Sequence, residues 1–152
     1  VIAAGGIATG AQVAAAFCLG AAGVQVGSRF VATPEASSHM AFKNAVVQAG
    51  EGDTMLAMKQ LTPVRLLKNH FFQQVAAAEG RGAGKEELTA LLGRARAKRG
   101  MFEGDLDEGE LEIGQVSAII DEIKPAAEVL HELWNDCRTI LNSFQGFGTD
   151  RT

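Results

Sequence analysis

The chain has 152 residues, of which 47% are hydrophobic and 21% charged, with 18 glycines and 3 prolines, a composition that excludes a disordered or collagen-like protein. The formal net charge is −4, and no cluster of basic residues interrupts the acidic balance, so the sequence argues against a nucleic-acid partner. No apolar run reaches the roughly 18 residues that span a bilayer, which predicts a globular protein without a membrane partner.

The first part of the chain has the pattern strand, glycine turn, helix, strand. An apolar run at residues 1–4 ends in Gly5 and Gly6, and Thr9 is a candidate N-cap of the helix that follows. A second short strand at 23–26 ends in another small-residue turn. Because few residues separate these elements, the pattern predicts a βαβ unit with parallel strands.

The rest of the chain predicts mainly helices. Thr33 and Pro34 are typical of a helix start, and Pro63 begins a second apolar-periodic stretch that continues to Val75. Two more helices are expected at 85–99 and from about 125 to 141, with an acidic loop at 103–112 between them and a glycine-rich linker at 80–84 before them. The predicted buried stripe of the last helix is Val129, Leu133, Trp134, Cys137 and Leu141.

The two cysteines and the start of the chain indicate its cellular compartment and whether sequence precedes it. Cys18 and Cys137 lie far apart, each in an apolar-periodic stretch, and this favours reduced core thiols in a cytoplasmic protein over a disulfide. The chain begins without methionine, in a run that is typical of the middle of a buried strand. We therefore expect further sequence upstream.

The two glycine turns carry the most chemical information. Gly5 and Gly6 follow the first strand, and Gly27 and Ser28 follow the second. Glycine lets the backbone direct its N–H groups at an anion, and two such turns on neighbouring parallel strands can converge on one phosphate. In (β/α)8 barrels the loops after strands seven and eight form such a site. The alternative is that both are tight turns with nothing bound.

Other candidate motifs fail on their spacing. Gly84 and Lys85 are followed by Glu86, where a Walker A loop needs Ser or Thr, and the acidic loop has no calcium-loop spacing. The three histidines lie on separate predicted helices without a second ligand three or four residues away. They are His39, His70 and His131. The sequence therefore predicts neither a metal site nor an acid/base pair.

Residues 1–10 and 14–30 together resemble the FMN phosphate-binding half of the nitronate monooxygenase and flavin-dependent enoyl-acyl carrier protein reductase superfamily. The resemblance continues through residues 63–69, through Gly104-Asp105 and through Gly114-Gln115. The reductase of bacterial fatty acid biosynthesis is the closer match within that superfamily.

The resemblance implies an α/β fold: the C-terminal part of a TIM (β/α)8 barrel, strands 7 and 8, with a helical C-terminal extension. FMN would be reduced by NADH or NADPH and pass a hydride to an enoyl thioester. The residues implied to hold the FMN are Gly5, Gly6, Gln25, Val26, Gly27 and Ser28. The catalytic histidine of the family has no match among the three histidines, so no catalytic residue is expected in this chain. Gln115 matches a family motif, but the resemblance assigns it no function.

The resemblance also implies an organisation and partners. Residues 1–50 would be the end of the FMN-binding barrel, 51–145 a mainly helical extension and 146–152 a flexible tail. The expected partners are a missing N-terminal barrel segment, an enoyl-acyl carrier protein and a second copy of the chain in a homodimer. The alternatives are a nitronate monooxygenase and, in a different class, a non-catalytic binding module.

Overall fold

A computed structural model of the chain describes residues 1–144. The fold is α/β, with two small sheets and helices around them. The elements are β1 (Ile2–Ala4), α1 (Gly10–Cys18), β2 (Gly23–Gln25), α2 (Ser28–Val31), α3 (Met40–Gln48), β3 (Thr54–Ala57), β4 (Val64–Leu67), α4 (His70–Gly80), α5 (Lys85–Leu92) and α6 (Ala126–Ser143). A π-helical turn at Lys98–Phe102 and a 3-10 helix at Gln115–Ile119 lie between α5 and α6.

The predicted βαβ unit is confirmed. Strands β1 and β2 pair in parallel, with Ile2 opposite Gly23 and Ala4 opposite Gln25. Helix α1 begins after Thr9, which forms a capping box with Gln12: the Gln12 N–H donates to Thr9 Oγ1 and the Thr9 N–H donates to Gln12 Oε1. The cap fixes where the helix starts and therefore the length of the glycine turn before it.

Helix α6 packs along α1 and completes the first core. Val13 and Ala14 of α1 are buried against Val129, Leu133 and Cys137 of α6. The contact requires glycine at position 10, because a Cβ there would collide with the Asp136 side chain and lie 2.7 Å from the Cys137 nitrogen. The long last helix predicted from the sequence is thereby confirmed, and it is joined to the βαβ unit by close backbone contact.

The helix predicted from Pro63 is wrong in its first part. Residues 64–67 form strand β4, antiparallel to β3, with Thr54 opposite Leu67 and Ala57 opposite Val64. The helix begins only at His70, after Asn69, whose side chain accepts from the Phe72 N–H. The short apolar run of Val64, Leu66 and Leu67 does not distinguish a buried strand from a helix, and the cap at Asn69 sets the boundary.

The helix predicted from Thr33 is also wrong at its start, since α3 begins at Met40. The Thr33 hydroxyl donates to the Phe30 carbonyl (2.9 Å) and accepts from the Ala36 N–H (3.2 Å), so it closes a local turn. The helix expected at 85–99 ends at Leu92, where Gly93 takes a positive φ of 66°.

Two predictions about core side chains need correction. Cys137 is buried as expected, but Cys18 is exposed at the end of α1, and the two thiols are not bonded to each other. Trp134 is 51% exposed on the outer face of α6, although the helical spacing placed it on the buried stripe. The stripe that is buried is Val129, Leu133 and Cys137.

A second core lies under the β3–β4 sheet. Leu66, Phe71, Val75 and Leu88 are almost completely buried there, and they join β4 to α4 and α5. The segment from 51 onward thus contains a two-stranded sheet as well as helices. The predicted tail at 146–152 lies outside the described residues. No helix within residues 1–144 has the length and apolar character to cross a membrane.

Candidate functional site

The two glycine turns meet at one cavity of about 270 Å³, which we call the glycine cavity. Its walls contain five of the six residues implied by the sequence resemblance. These five are Gly5, Gly6, Gln25, Gly27 and Ser28, and the wall is completed by Ala4, Ile7, Gly114 and Val116. The parallel register brings the ends of β1 and β2 to the same edge of the sheet, and so brings the two turns together.

The first turn requires glycine for its backbone conformation. Gly5 has a φ of 88° and Gly6 a φ of 69°, a region that residues with a side chain rarely adopt. A Cβ at either position would meet no atom within 4 Å. The constraint is therefore the turn geometry itself, and the space above the turn is open to a ligand.

Ser28 and Gly114 close the opposite wall of the cavity. The Gly114 N–H donates to Ser28 Oγ at 3.0 Å, across 86 residues of sequence. A Cβ on Gly114 would lie 2.6 Å from that oxygen, so only glycine allows this approach. Since the Ser28 hydroxyl accepts this bond, its own proton is left to donate into the cavity.

The glycine cavity has no charged side chain in its wall. Arg29, the nearest basic residue in sequence, is buried, and its guanidinium donates to the carbonyls of Ala32 (3.4 Å) and Glu122 (3.2 Å). The cavity therefore offers an anion no side-chain cation. Its candidate donors are the backbone N–H groups of the two turns, the Ser28 hydroxyl and the Gln25 side-chain amide. This donor set and the absence of a carboxylate suit the phosphate of FMN.

Val26 lies elsewhere. Its side chain is partly buried and packs against the core between α1 and α6. This follows from its position, since neighbouring residues at a strand end point to opposite faces and Gln25 already faces the cavity.

A second cavity of about 370 Å³ shares Gly6 and Val116 with the glycine cavity. It contains Gln115 and Gln12, and the side-chain oxygen Oε1 of Gln12 already accepts from the Ala8 and Thr9 N–H groups. Gln115 thus lies beside the glycine cavity and not in its wall. The structure places Gly114, rather than Gln115, in the wall of the predicted site. In the sequence, the only signal for Gly114 was the Gly114-Gln115 pair.

The three histidines do not line either cavity. His39 caps α3, where its Nδ1 accepts from the Ala41 N–H at 3.1 Å, and His131 is exposed on α6. His70 contacts the Glu108 carboxylate, which raises the pKa of His70 and lowers that of Glu108. Spacing along a helix could not reveal this pair, because its members are 38 residues apart.

The chain is similar in sequence to known flavin enzymes. The nitronate monooxygenase family profile matches residues 1–136. A nitronate monooxygenase of Pseudomonas aeruginosa is 32% identical over 91% of this chain and 39% of its own length. The (3aS,4S,5R,7aS)-5-hydroxy-7a-methyl-1-oxo-octahydro-1H-indene-4-carboxyl-CoA dehydrogenase of Mycobacterium tuberculosis is 30% identical over 94% of this chain and 51% of its own length.

The fold is similar to that of FabK from Thermotoga maritima, with a TM-score of 0.87 and 34% identity over 97% of this chain and 47% of that one. The chain thus spans about half the length of FabK and about two fifths to one half of these curated relatives. The match to the family profile extends from β1 through most of α6 and includes every wall of the glycine cavity. The chain therefore belongs to the nitronate monooxygenase family, whose members are FMN-dependent oxidoreductases.

Proposed function

We propose that this chain holds the phosphate of FMN in an FMN-dependent enoyl-acyl carrier protein reductase of fatty acid biosynthesis. The observation that carries the proposal is the glycine cavity, where two turns from adjacent parallel strands face one space without a charged wall. Strands β1 and β2 would be strands 7 and 8 of a TIM barrel. The likeness to FabK, an enoyl-ACP reductase of the same superfamily, supports the reductase assignment.

In this proposal the residues of the chain bind and orient the cofactor. Gly5 and Gly6 present backbone N–H groups to the phosphate, and Ser28 donates its hydroxyl from the other side, with Gly27 allowing close approach. Gln25, at the rim, contacts the part of FMN next to the phosphate. When bound, FMN supplies the hydride transfer from NADH or NADPH to the enoyl double bond. The chain itself contributes no catalytic residue to that step.

We also propose that an N-terminal barrel segment completes the active enzyme. Strands β1 and β2 pair only with each other among the described residues, and Ile2 is 67% exposed on that sheet. Its burial by neighbouring strands would remove this apolar surface from water. Native mass spectrometry of the purified protein tests this directly. A complex of this chain, a barrel segment and FMN is expected, and a chain that stays folded alone without flavin would contradict it.

Two further parts of the proposal concern context. Leu130 and Trp134 are both more than half exposed on α6, which supports a homodimer formed through the C-terminal helices. A monomer in size-exclusion chromatography would contradict it. Unpaired Cys18 and Cys137 support a reducing compartment, the cytoplasm.

Nitronate monooxygenase is the second candidate function, favoured by the family profile and by the relative from P. aeruginosa. The name of the relative from M. tuberculosis, a carboxyl-CoA dehydrogenase, instead points to thioester substrates among similar chains. Stopped-flow assays separate the two, if the flavin is first reduced anaerobically and then mixed with the enoyl thioester or with oxygen. Flavin reduced by NAD(P)H and reoxidised by an enoyl thioester indicates the reductase, whereas flavin reduced by a nitronate and reoxidised by oxygen indicates the monooxygenase.

The third possibility, a non-catalytic binding module, predicts no dependence on flavin. Flavin content of the complete barrel decides between this and both enzymes. Stoichiometric FMN that is lost when Gly6 is replaced supports an enzyme, and a flavin-free protein supports the binding module.

A further inference from the structure

A second group of polar side chains lies away from the glycine cavity. His70, at the start of α4, faces Asp107 and Glu108 of the acidic loop (residues 103–112). The imidazole nitrogen and one oxygen of each carboxylate all lie within 4.8 Å of one another. We call these three residues the histidine–carboxylate cluster. The cluster joins two segments that are far apart in the sequence and that only the tertiary fold brings together. Sequence spacing therefore could not predict it.

The backbone on both sides of the cluster is fixed by hydrogen bonds. The Phe71 N–H donates to the Asp107 carbonyl at 3.1 Å, directly linking α4 to the acidic loop. The Asn69 side-chain amide donates to the carbonyls of Leu106 (3.0 Å) and Gly109 (2.8 Å), which lie just before and just after the two carboxylates. The backbone positions of all three cluster residues are therefore set before any ligand binds, which lowers the cost of binding one.

The carboxylates differ in their neighbours. Arg96 lies 3.3 Å from Glu108 Oε2 and donates to the Glu108 carbonyl at 2.7 Å, while Glu108 Oε1 faces His70. The Asp107 carboxylate makes no hydrogen bond or ion pair with residues 1–144. One negative charge of the cluster thus has no bonded partner. The Glu108 carboxylate is in direct contact with the His70 imidazole through Oε1, and Arg96 holds its other oxygen. The Gln74 side-chain amide lies 3.2 Å from His70 Nδ1 and donates to Glu108 Oε1 at 3.5 Å. A bound ion would take the place of the direct contact between His70 and Glu108.

From this geometry we infer that the histidine–carboxylate cluster is a site for one divalent transition metal ion of the zinc type. An imidazole nitrogen with two carboxylate oxygens is a ligand set that zinc accepts, and an imidazole ligand disfavours calcium and magnesium. The side chains of His70 and Glu108 are 52% and 30% exposed, so the ion can enter and keep water as its fourth ligand. Arg96 takes the place of the outer partner that orients a ligating carboxylate.

Such an ion would join α4 to the acidic loop by bonds stronger than the hydrogen bonds already there. The loop continues through Leu111, which is buried in a third core cluster together with Phe42 and Val46, to Gly114 at the glycine cavity. The site is independent of FMN, since none of its ligands lies in the wall of that cavity. Metal binding is accordingly expected with or without flavin.

The test is a zinc titration of the purified protein, together with the barrel segment where that is bound, by isothermal calorimetry after treatment with a chelator. One Zn²⁺ per chain is expected. His70→Gln, which keeps a polar side chain at the helix start, should weaken binding by at least the roughly tenfold that loss of an outer partner alone causes. Asp107→Asn should weaken it in the same direction. Circular dichroism of both variants separates loss of the site from loss of the fold.

Two matched controls sharpen the titration. His131→Gln removes an exposed histidine of α6 that is not in the cluster, and Cys18→Ser removes the exposed thiol, a competing zinc ligand. Neither is expected to change zinc affinity. The proposal is overturned if the chain takes up no zinc, if the His70→Gln variant binds it as tightly as the original chain, or if binding is lost with Cys18→Ser.

Discussion

The glycine cavity and the histidine–carboxylate cluster are built in opposite ways. At the glycine cavity the functional groups are uncharged, namely backbone N–H groups, the Ser28 hydroxyl and the Gln25 amide, and the turns depend on residues that lack a side chain. At the cluster every functional group is a charged or titratable side chain, held in place by backbone hydrogen bonds. Substitution should therefore act by strain and steric collision in the first region and by loss of hydrogen bonds or charges in the second.

The largest effect is expected where α1 and α6 are in backbone contact. In Gly10→Val the new side chain would collide with Asp136 and with the Cys137 nitrogen, so the helices must separate. We expect the free energy of unfolding to fall by about 3 kcal/mol or more. Urea unfolding followed by Trp134 fluorescence measures this, since Trp134 is the single tryptophan and lies on α6.

The matched control is Ala11→Val, one residue further along α1 and exposed. It adds a valine at the same end of the helix without the helix contact. Equal unfolding free energies for the two variants would mean that the close approach at Gly10 does not stabilise the fold.

The second effect separates backbone strain from ligand binding at the first glycine turn. Valine at position 6 disfavours the positive φ of the turn. Holding the turn in the conformation that directs its N–H groups at the phosphate then costs about 1–3 kcal/mol. In the complete barrel, Gly6→Val should therefore weaken FMN binding on the order of tenfold or more. Flavin absorbance after gel filtration and FMN titration of the apoprotein measure this loss.

Gly20 provides an unusually close control for that variant. It also has a positive φ, 90°, and open space around its Cβ position, but it lies after α1 and away from the cavity. Gly20→Val should lower stability by a similar amount and leave FMN affinity unchanged. If both variants lose flavin equally, the turn does not hold the phosphate.

The third effect tests the second region. Asn69→Ala removes the N-cap of α4 and both hydrogen bonds to the acidic loop. Loss of the cap alone costs about 0.5–2 kcal/mol, and the carbonyls of Leu106 and Gly109 lose their donor as well. We expect the free energy of unfolding, measured in urea, to fall by about 2 kcal/mol. Asn44→Ala, on the exposed side of α3, is the control and should leave it unchanged. FMN affinity should be unaffected.

The contrast also explains which features the sequence could predict. The glycine turns, the Thr9 cap and the parallel βαβ unit depend on residues close together in the chain, so local chemistry determines them. The helix predicted from Pro63 was wrong in its first part, because residues 64–67 form a strand that is stabilised by pairing with β3. That pairing cannot be read from the short apolar run itself. The Ser28–Gly114 bond and the His70–Glu108 pair join residues 86 and 38 apart, and only the tertiary fold brings them together.

The smallest effect concerns the side-chain hydroxyl in the wall of the glycine cavity. Ser28→Ala removes a hydroxyl that accepts from Gly114 and that we propose donates to the FMN phosphate. A single hydrogen bond is worth about 0.5–1.5 kcal/mol, so FMN should bind about two- to tenfold more weakly. Ser28→Thr keeps the hydroxyl and should bind FMN as the original chain does. Fluorescence titration of the apoprotein distinguishes the two. If Ser28→Ala binds FMN with unchanged affinity, the hydroxyl only anchors the Gly114 loop, and the backbone turns alone hold the phosphate.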